Sequence, residues 1–336
     1  MYEQYYQLNG MPFQLTPDSR YFFGSKGHSR AISHLIYGLS QGEGFIVVTG
    51  EVGAGKTTLV ERLWSQLDRD TYTVARISTT QVSGEDLFRL AMSGFGLEDS
   101  QPGRANLLRQ FEALLQDHHI TGRRCLLVVD EAQNLPLAAL EELRMLSNLT
   151  ANGGAAMQTI LLGQPQFRRM LASAELDQLR QRVLASYHLG PLTREEMRGY
   201  IEHRLTTAGW TGTPQWDTAA YDAVYRYSDG IPRRINRLCS RVLMHGALEE
   251  SAEITAEMVE ATAEELQQDL KGLEGDDPQS EPARPAPAHL GNGAVPVDST
   301  AVAGLLGRVD ALEERVSRRE RLFQRLADIF SPDPQR

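Results

Sequence analysis

Eight residues, Gly50-Glu51-Val52-Gly53-Ala54-Gly55-Lys56-Thr57, lie between an apolar run at 45–49 and a helical pattern. Glycines at that spacing let backbone N–H groups wrap an anion, and a helix opening at Lys56 adds its N-terminal dipole. The chemistry expected is the holding of a nucleotide's phosphates. Lys56 would reach the β- and γ-phosphates, the Thr57 hydroxyl would bind Mg²⁺, and Thr58 would lie near the α-phosphate. A second constellation closes the apolar run 126–129, where Asp130 and Glu131 stand side by side. Asp130 would hold Mg²⁺ through a water, and Glu131 would polarise an attacking water. The pair points to hydrolysis; the plainer alternative is two solvated acids at a strand end.

Three more places could act on the same phosphates. Gln164 follows the run 159–162, and in a parallel sheet it should emerge beside the Asp130 strand, where it could sense a γ-phosphate. Arg180 and Arg182 precede the last apolar run, where an exposed guanidinium could reach a neighbouring subunit's nucleotide and stabilise charge on the transferring group. Surface arginines on a polar helix are the alternative for both. In Gly230-Ile231-Pro232-Arg233-Arg234-Ile235-Asn236, Pro232 fits a first helical turn, which sets Arg233 and Arg234 near the helix N-terminus. Arg233 is the preferred γ-phosphate contact, coupling the angle of its domain to nucleotide state, against a salt-bridged helix start.

These groups need a scaffold that brings strand ends together. Apolar runs at 45–49, 73–77, 125–129, 159–162 and 186–189 alternate with amphipathic helical patterns, the rhythm of a parallel sheet covered on both faces. After Pro191 the strand pattern stops, and helices are expected from near Thr193, Asp217, Ile231 and Thr255 to about residue 270. The expected organisation is an N-terminal segment (1–40), an α/β nucleotide-binding domain (41–191), a helical lid (192–270), a linker (271–300) and a C-terminal helix (301–330). The linker carries five prolines among Gly, Ala and acidic residues, too little apolar surface to fold. Beyond it, Leu305, Val309, Leu312, Val316, Phe323, Leu326 and Phe330 keep a four-three spacing broken only at Arg319. That spacing fits a coiled coil that oligomerises or docks a partner, or else a frayed amphipathic tail.

Composition narrows the function classes. A net charge of -10 argues against general phosphate-backbone binding, so nucleic acid is not the default partner. Two cysteines, Cys125 and Cys239, are too few for a disulfide framework and wrongly spaced for zinc, which fits a reducing cytosol. The N-terminus does not read as a signal peptide, and no apolar run approaches the roughly 20 residues of a membrane span. A cytoplasmic protein is expected, held by a partner if it works at the inner membrane.

In order along residues 1–270, the glycine loop, the paired acids, Gln164, the arginines before the last strand and the Gly-Ile-Pro-Arg helix resemble AAA+ ATPases. Within that class, Phe13-Gln14-Leu15-Thr16-Pro17-Asp18, Tyr37-Gly38-Leu39, Asp130-Glu131-Ala132-Gln133-Asn134-Leu135 and Leu162-Gly163-Gln164-Pro165 resemble the ExeA/GspA secretion ATPases. The nearest likeness is to the ATPase of exosortase A (PEP-CTERM) exopolysaccharide loci. The resemblance implies a P-loop NTPase of AAA+ type: a five-stranded parallel sheet in a three-layer α/β/α arrangement, an all-helical lid, and ATP with Mg²⁺ between the two. It also implies a homo-oligomeric ATPase of envelope secretion or exopolysaccharide export with a protein partner from that machinery, for which the spacing within 301–330 offers one docking segment. General-secretion members continue into a transmembrane helix and a peptidoglycan-binding domain, where this sequence has the linker and helix. The same group includes transposition helpers, so a DNA-linked ATPase is the rival, and a nucleotide-gated scaffold with little hydrolysis a third reading. Phe22, Phe23 and the region 28–32 are expected to wall the adenine side, with His28 there as a structural polar residue.

Overall fold

The computed structural model describes residues 2–16, 18–78, 82–97 and 103–274, with side chains described to residue 269. Five apolar runs form one parallel sheet: β1 (Phe45–Gly50), β2 (Tyr72–Ile77), β3 (Arg124–Val129), β4 (Met157–Gly163) and β5 (Val183–Leu189). Their spatial order is β2-β3-β4-β1-β5. The strands inside that order, β1 and β4, are buried at every residue, and so is β3 after Arg124. Edge strands β2 and β5 alternate with more exposed positions, because each has a sheet partner on one side only.

Helices α1 (Lys26–Gln41) and α2 (Lys56–Gln66) cover one face, burying Leu35, Leu39, Leu59 and Leu63 against Ile46, Val48, Val128 and Ile160. On the other face α3 (Gly84–Gly94), α4 (Arg104–Ile120) and α5 (Leu137–Leu146) bury Phe88, Phe111, Leu115 and Leu143 against Val47, Leu127 and Leu161. Each such side chain, moved wholly out of water, stabilises by about 2 kcal/mol before its entropy is counted.

Beyond the sheet come α6 (Arg194–Thr207), α7 (Thr218–Ser228), α8 (Pro232–Leu248) and α9 (Ala256–Glu274). Their starts follow local chemistry. Thr193 and Glu196 close a reciprocal capping box on α6, and Pro232 takes the first turn of α8, where a missing N–H costs nothing. Two details depart from the sequence expectation. Helix α9 runs on to Glu274, past 270, through Lys271, Leu273 and Glu274, all good helix formers, with the first proline of the linker four residues further on. The lid is also not purely helical: the two-residue strands Gln215–Trp216 and Glu253–Ile254 pair in parallel, too short to show as a hydrophobic period.

The N-terminal segment divides between two cores. Tyr2, Tyr6, Leu8, Phe13 and Tyr21 pack with the lid residues Met197, Ile201, Leu205 and Leu243, whereas α1 packs on the sheet. Both cysteines are buried thiols, and burial pushes Cys125 up to about 12. Among the described residues no helix is long and apolar enough to cross a membrane. The remainder of the linker and the helix expected at 301–330 lie outside the described residues.

Candidate nucleotide site

All five strands run the same way, so the residues after their carboxyl ends share one edge of the sheet, the usual ligand position of open parallel sheets. From β1 the chain enters the glycine loop, where Ala54 N–H closes a turn on the Glu51 carbonyl at 3.1 Å. Gly53 and Gly55 hold φ of 81° and 99°, a region that a Cβ makes costly. Space forbids a side chain as well. A Cβ on Gly53 would stand 2.2 Å from Arg233 Cβ, and one on Gly55 would stand 2.9 Å from His28 Nε2. The lid therefore closes on the loop at Gly53 and α1 closes on it at Gly55.

Lys56 is buried at 6% exposure and donates from Nζ to the carbonyls of Gly50 (2.9 Å) and Glu51 (3.1 Å). Burial lowers its pKa, opposed by the charges of Glu131, Asp130 and Glu51. The Thr57 hydroxyl donates to Asp130 Oδ2 at 2.9 Å, which brings the two expected metal-side groups together. Arg76, on β2, meets the same oxygen at 3.3 Å and Glu61 at 3.2 Å. The other oxygen, Oδ1, accepts Glu131 N–H at 3.0 Å.

Glu131 leaves β3 in the left-handed region, φ 52°, an arrangement that costs an ordinary side chain on the order of 1 kcal/mol and survives where surroundings fix it. They do so here. Glu131 Oε2 accepts from Gln133 Nε2 at 2.6 Å and from Gln164 Nε2 at 3.0 Å, while Gln164 N–H donates to Gln133 Oε1 at 2.9 Å. Burial pushes the Glu131 carboxyl up, but the two amides and the charge of Lys56 outweigh it and hold it below its ordinary value. Gln164 arrives because β4 pairs directly with β3, Leu161 opposite Val129.

A cavity of about 380 Å³ spans the loop, the N-terminal segment and α8. Val52, Gly53, Gly55, Lys56, Thr57, Thr58 and Glu131 line it from the sheet domain. Phe22, Phe23 and His28 line it on the side expected for adenine, and Arg233 faces it from the lid. Gly50, Glu51 and Ala54 shape the loop without lining the cavity. The two lid arginines separate cleanly: Arg234 pairs with Asp229 at 2.5 Å, whereas Arg233 docks its backbone N–H on the Gly53 carbonyl at 3.2 Å and lines the cavity.

Arg180 and Arg182 do not reach this chain's cavity. Arg182 is half-buried and spends its guanidinium on the Ser147 carbonyl (3.3 Å) and hydroxyl (3.1 Å). Arg180 is exposed and pairs with Asp177 one turn away. Three residues that sequence reasoning did not place at the site are Arg76, Gln133 and Arg204. Arg204 is 7% exposed and pairs with no carboxylate among the described residues; it donates to the carbonyls of Pro12 and Gln14, and its guanidinium stacks on Tyr21 and Tyr200 at 5.0 and 5.4 Å. Of the three, Gln133 carried a sequence signal, its spacing from the paired acids; the other two depend on distant pairings.

Residues 39–171 match the family described as AAA domain. Over 248 residues the chain is 38% identical to General secretion pathway protein A of Aeromonas hydrophila, an alignment covering 73% of this chain and 44% of that protein. The chain thus spans less than half the length of that curated relative. Among solved structures, the ORC2 protein of Aeropyrum pernix in ADPNP-ADP complexes aligns with a TM-score of 0.59 at 15% identity, covering 76% of this chain and 72% of that one. CDC6P from Pyrobaculum aerophilum gives 0.59 at 15% identity over 74% and 71%. A chain of Drosophila ORC bound to DNA gives 0.57 at 14% identity over 82% and 68%. At these identities the likeness is one of fold, and the fold is the P-loop AAA fold.

Proposed function

We propose that this chain is an ATPase that binds ATP with Mg²⁺ in the crevice between sheet edge and lid, hydrolyses it, and turns the cycle into conformational work for envelope secretion. One observation carries the reading: the glycine loop, Thr57 and Glu131 line one cavity together with Arg233 of the lid, while Asp130 is bonded to Thr57 and Gln133 and Gln164 are bonded to Glu131. The loop's N–H groups and Lys56 bind the phosphates, and Glu131, kept ionised by its amides, takes a proton from the attacking water.

The metal-side groups suit magnesium. Thr57 Oγ1 and Asp130 Oδ2 are hard oxygens 2.9 Å apart, and magnesium takes one or two protein oxygens while phosphates and waters supply the rest. Among the described residues no cluster of three or more His, Cys, Asp or Glu could cage a metal, in keeping with that sparing ligation. Thr57 and Asp130 would hold the ion, which supplies charge neutralisation across the phosphates.

The secretion role rests on the relative from Aeromonas hydrophila. The narrower exopolysaccharide and exosortase setting rests on the motif likenesses alone; a homo-oligomeric state rests on those likenesses and on the apolar spacing within 301–330, partner docking on that same spacing, and a cytoplasmic location on the cysteine usage and the apolar-run lengths of the sequence. The test is phosphate release from Mg²⁺–ATP by the purified full chain. Lys56→Ala should lose nucleotide binding, and Glu131→Gln should bind ATP yet scarcely turn it over. A Lys56→Ala protein hydrolysing at the parent rate would overturn the assignment, and salt-sensitive stimulation by DNA would turn it toward the DNA-linked rival.

A further inference from the structure

His28 lies in the first turn of α1, against the glycine loop. Its backbone N–H donates to the Oγ of Ser25, the residue that caps the helix, and its ring Nδ1 stands 2.7 Å from the same oxygen. Ser25 is 4% exposed, and its hydroxyl has one proton to give. Oγ has a second lone pair and could accept from Nδ1–H as well, but its own buried proton would then have no acceptor among the described residues; given to Nδ1 that proton is satisfied, and a neutral imidazole that accepts at Nδ1 carries its own proton on Nε2. Burial lowers the ring's pKa against the pull of Glu196, which keeps it neutral. Phe22 meets the ring edge-on, centroids 5.6 Å apart at 85°, so its plane is fixed.

The donor so defined is aimed at the site. Nε2 stands 2.9 Å from where a Gly55 Cβ would be, His28 lines the cavity, and Nε2 has no protein acceptor among the described residues. On the nucleotide reading Lys56 and Thr57 serve the terminal phosphates and metal, while Phe22 and Phe23 wall the nucleoside side; His28 touches both groups, Phe22 with its ring and, through Nε2, Gly55, the residue before Lys56. We infer that His28 Nε2–H is a binding contact for the nucleotide, donating to an oxygen of its α-phosphate. The contact rests on the nucleotide reading above and adds a residue from α1 to a cradle otherwise supplied by the loop and the first turn of α2.

The experiment titrates fluorescent ADP and ATP analogues into the full chain and into His28→Ala, His28→Asn and His28→Gln, with thermal unfolding of each measured without nucleotide. Gln carries an amide N–H where imidazole Nε2 sits, whereas Asn reaches only the Nδ1 position. His28→Ala and His28→Asn should weaken ADP and ATP equally, by roughly tenfold or more, as for a hydrogen bond to a charged group. His28→Gln should stay near the parent affinity. Equal weakening in His28→Gln and His28→Ala would mean that the ring only fills space, and loss confined to ATP would put the contact at the terminal phosphate; either result overturns the proposal. So would unchanged affinity throughout. Lys56→Ala keeps the two readings apart: a parent chain that bound no nucleotide, or bound it equally without Lys56, would sink the site itself, whereas binding that needs Lys56 but ignores His28 would sink only this contact.

Discussion

Gln164 Nε2 donates to Glu131 Oε2 at 3.0 Å, joining the ends of two adjacent parallel strands through the carboxylate expected to act on water. With Gln164 as the proposed γ-phosphate sensor and Glu131 as the proposed base, this bond would make the base's geometry depend on the strand that faces the phosphate. The same bond favours the ionised carboxylate, which gives it a measurable signature.

Gln164→Ala should raise the Glu131 pKa. Burial alone would push it up; the amides of Gln133 and Gln164 and the charge of Lys56 hold it down. The sign follows: a carboxyl held below its unfolded value contributes stability that is present above the ordinary carboxylate range and is lost as pH falls through the folded value. Activity needing the carboxylate fails over the same acidic range. The pH–rate profile of Gln164→Ala should therefore show its acid limb moved to higher pH, and an unmoved limb would remove Gln164 as a tuner of Glu131.

Arg76→Ala should let the site saturate at lower Mg²⁺. The guanidinium shares Asp130 Oδ2 with Thr57, so an arriving divalent ion meets a positive charge already in place. Arg76 is 34% exposed, so screening leaves on the order of 1 kcal/mol, about fivefold in the half-saturating concentration. Magnesium titration of fluorescent-nucleotide binding measures it, and a rise instead of a fall would mean that Arg76 supports Asp130 more than it competes for it.

Much of this site could be read before any fold was known, and the limits have a physical pattern. The glycine loop, the paired acids and the helix starts at Thr193, Asp217 and Ile231 are local: each needs only neighbours a few residues away. Arg76 gives no such signal, because an exposed arginine on an edge strand looks like any solvated charge until β2 is known to lie beside β3. The sorting of Arg182 from Arg180 depends on Ser147, and the sorting of Arg233 from Arg234 on Asp229 and Gly53. The bond between Ser25 and His28 spans three residues, yet what it aims at, Gly55, is set by the packing of α1 on the sheet.

Arg204→Leu should loosen the N-terminal segment. This buried cation is satisfied by the carbonyls of Pro12 and Gln14 and by the Tyr200 hydroxyl at 2.9 Å, and it fastens the segment carrying Phe13 to lid helix α6. Stranding those acceptors should cost roughly 3 kcal/mol. A lowered unfolding midpoint and faster proteolysis around residues 10–20 would be the readout; an unchanged midpoint would show that apolar packing alone holds the segment.

The exposed Arg180 bears on what a neighbouring copy could supply. Arg182 is occupied within its own chain, so Arg182→Ala should lower stability by losing the Ser147 bonds. Arg180 is exposed, and its partners, the solvent-screened Asp177 carboxylate and the Ala172 carbonyl at a long 3.4 Å, are weak enough to exchange for a phosphoryl oxygen on another subunit. Arg180→Ala should then keep nucleotide affinity while losing hydrolysis. Mixing it with Glu131→Gln should restore part of the turnover, because a site with Glu131 from one copy and Arg180 from the other is whole again. If neither parent variant hydrolyses and the mixture stays equally silent under conditions where the chains associate, Arg180 does not act across an interface.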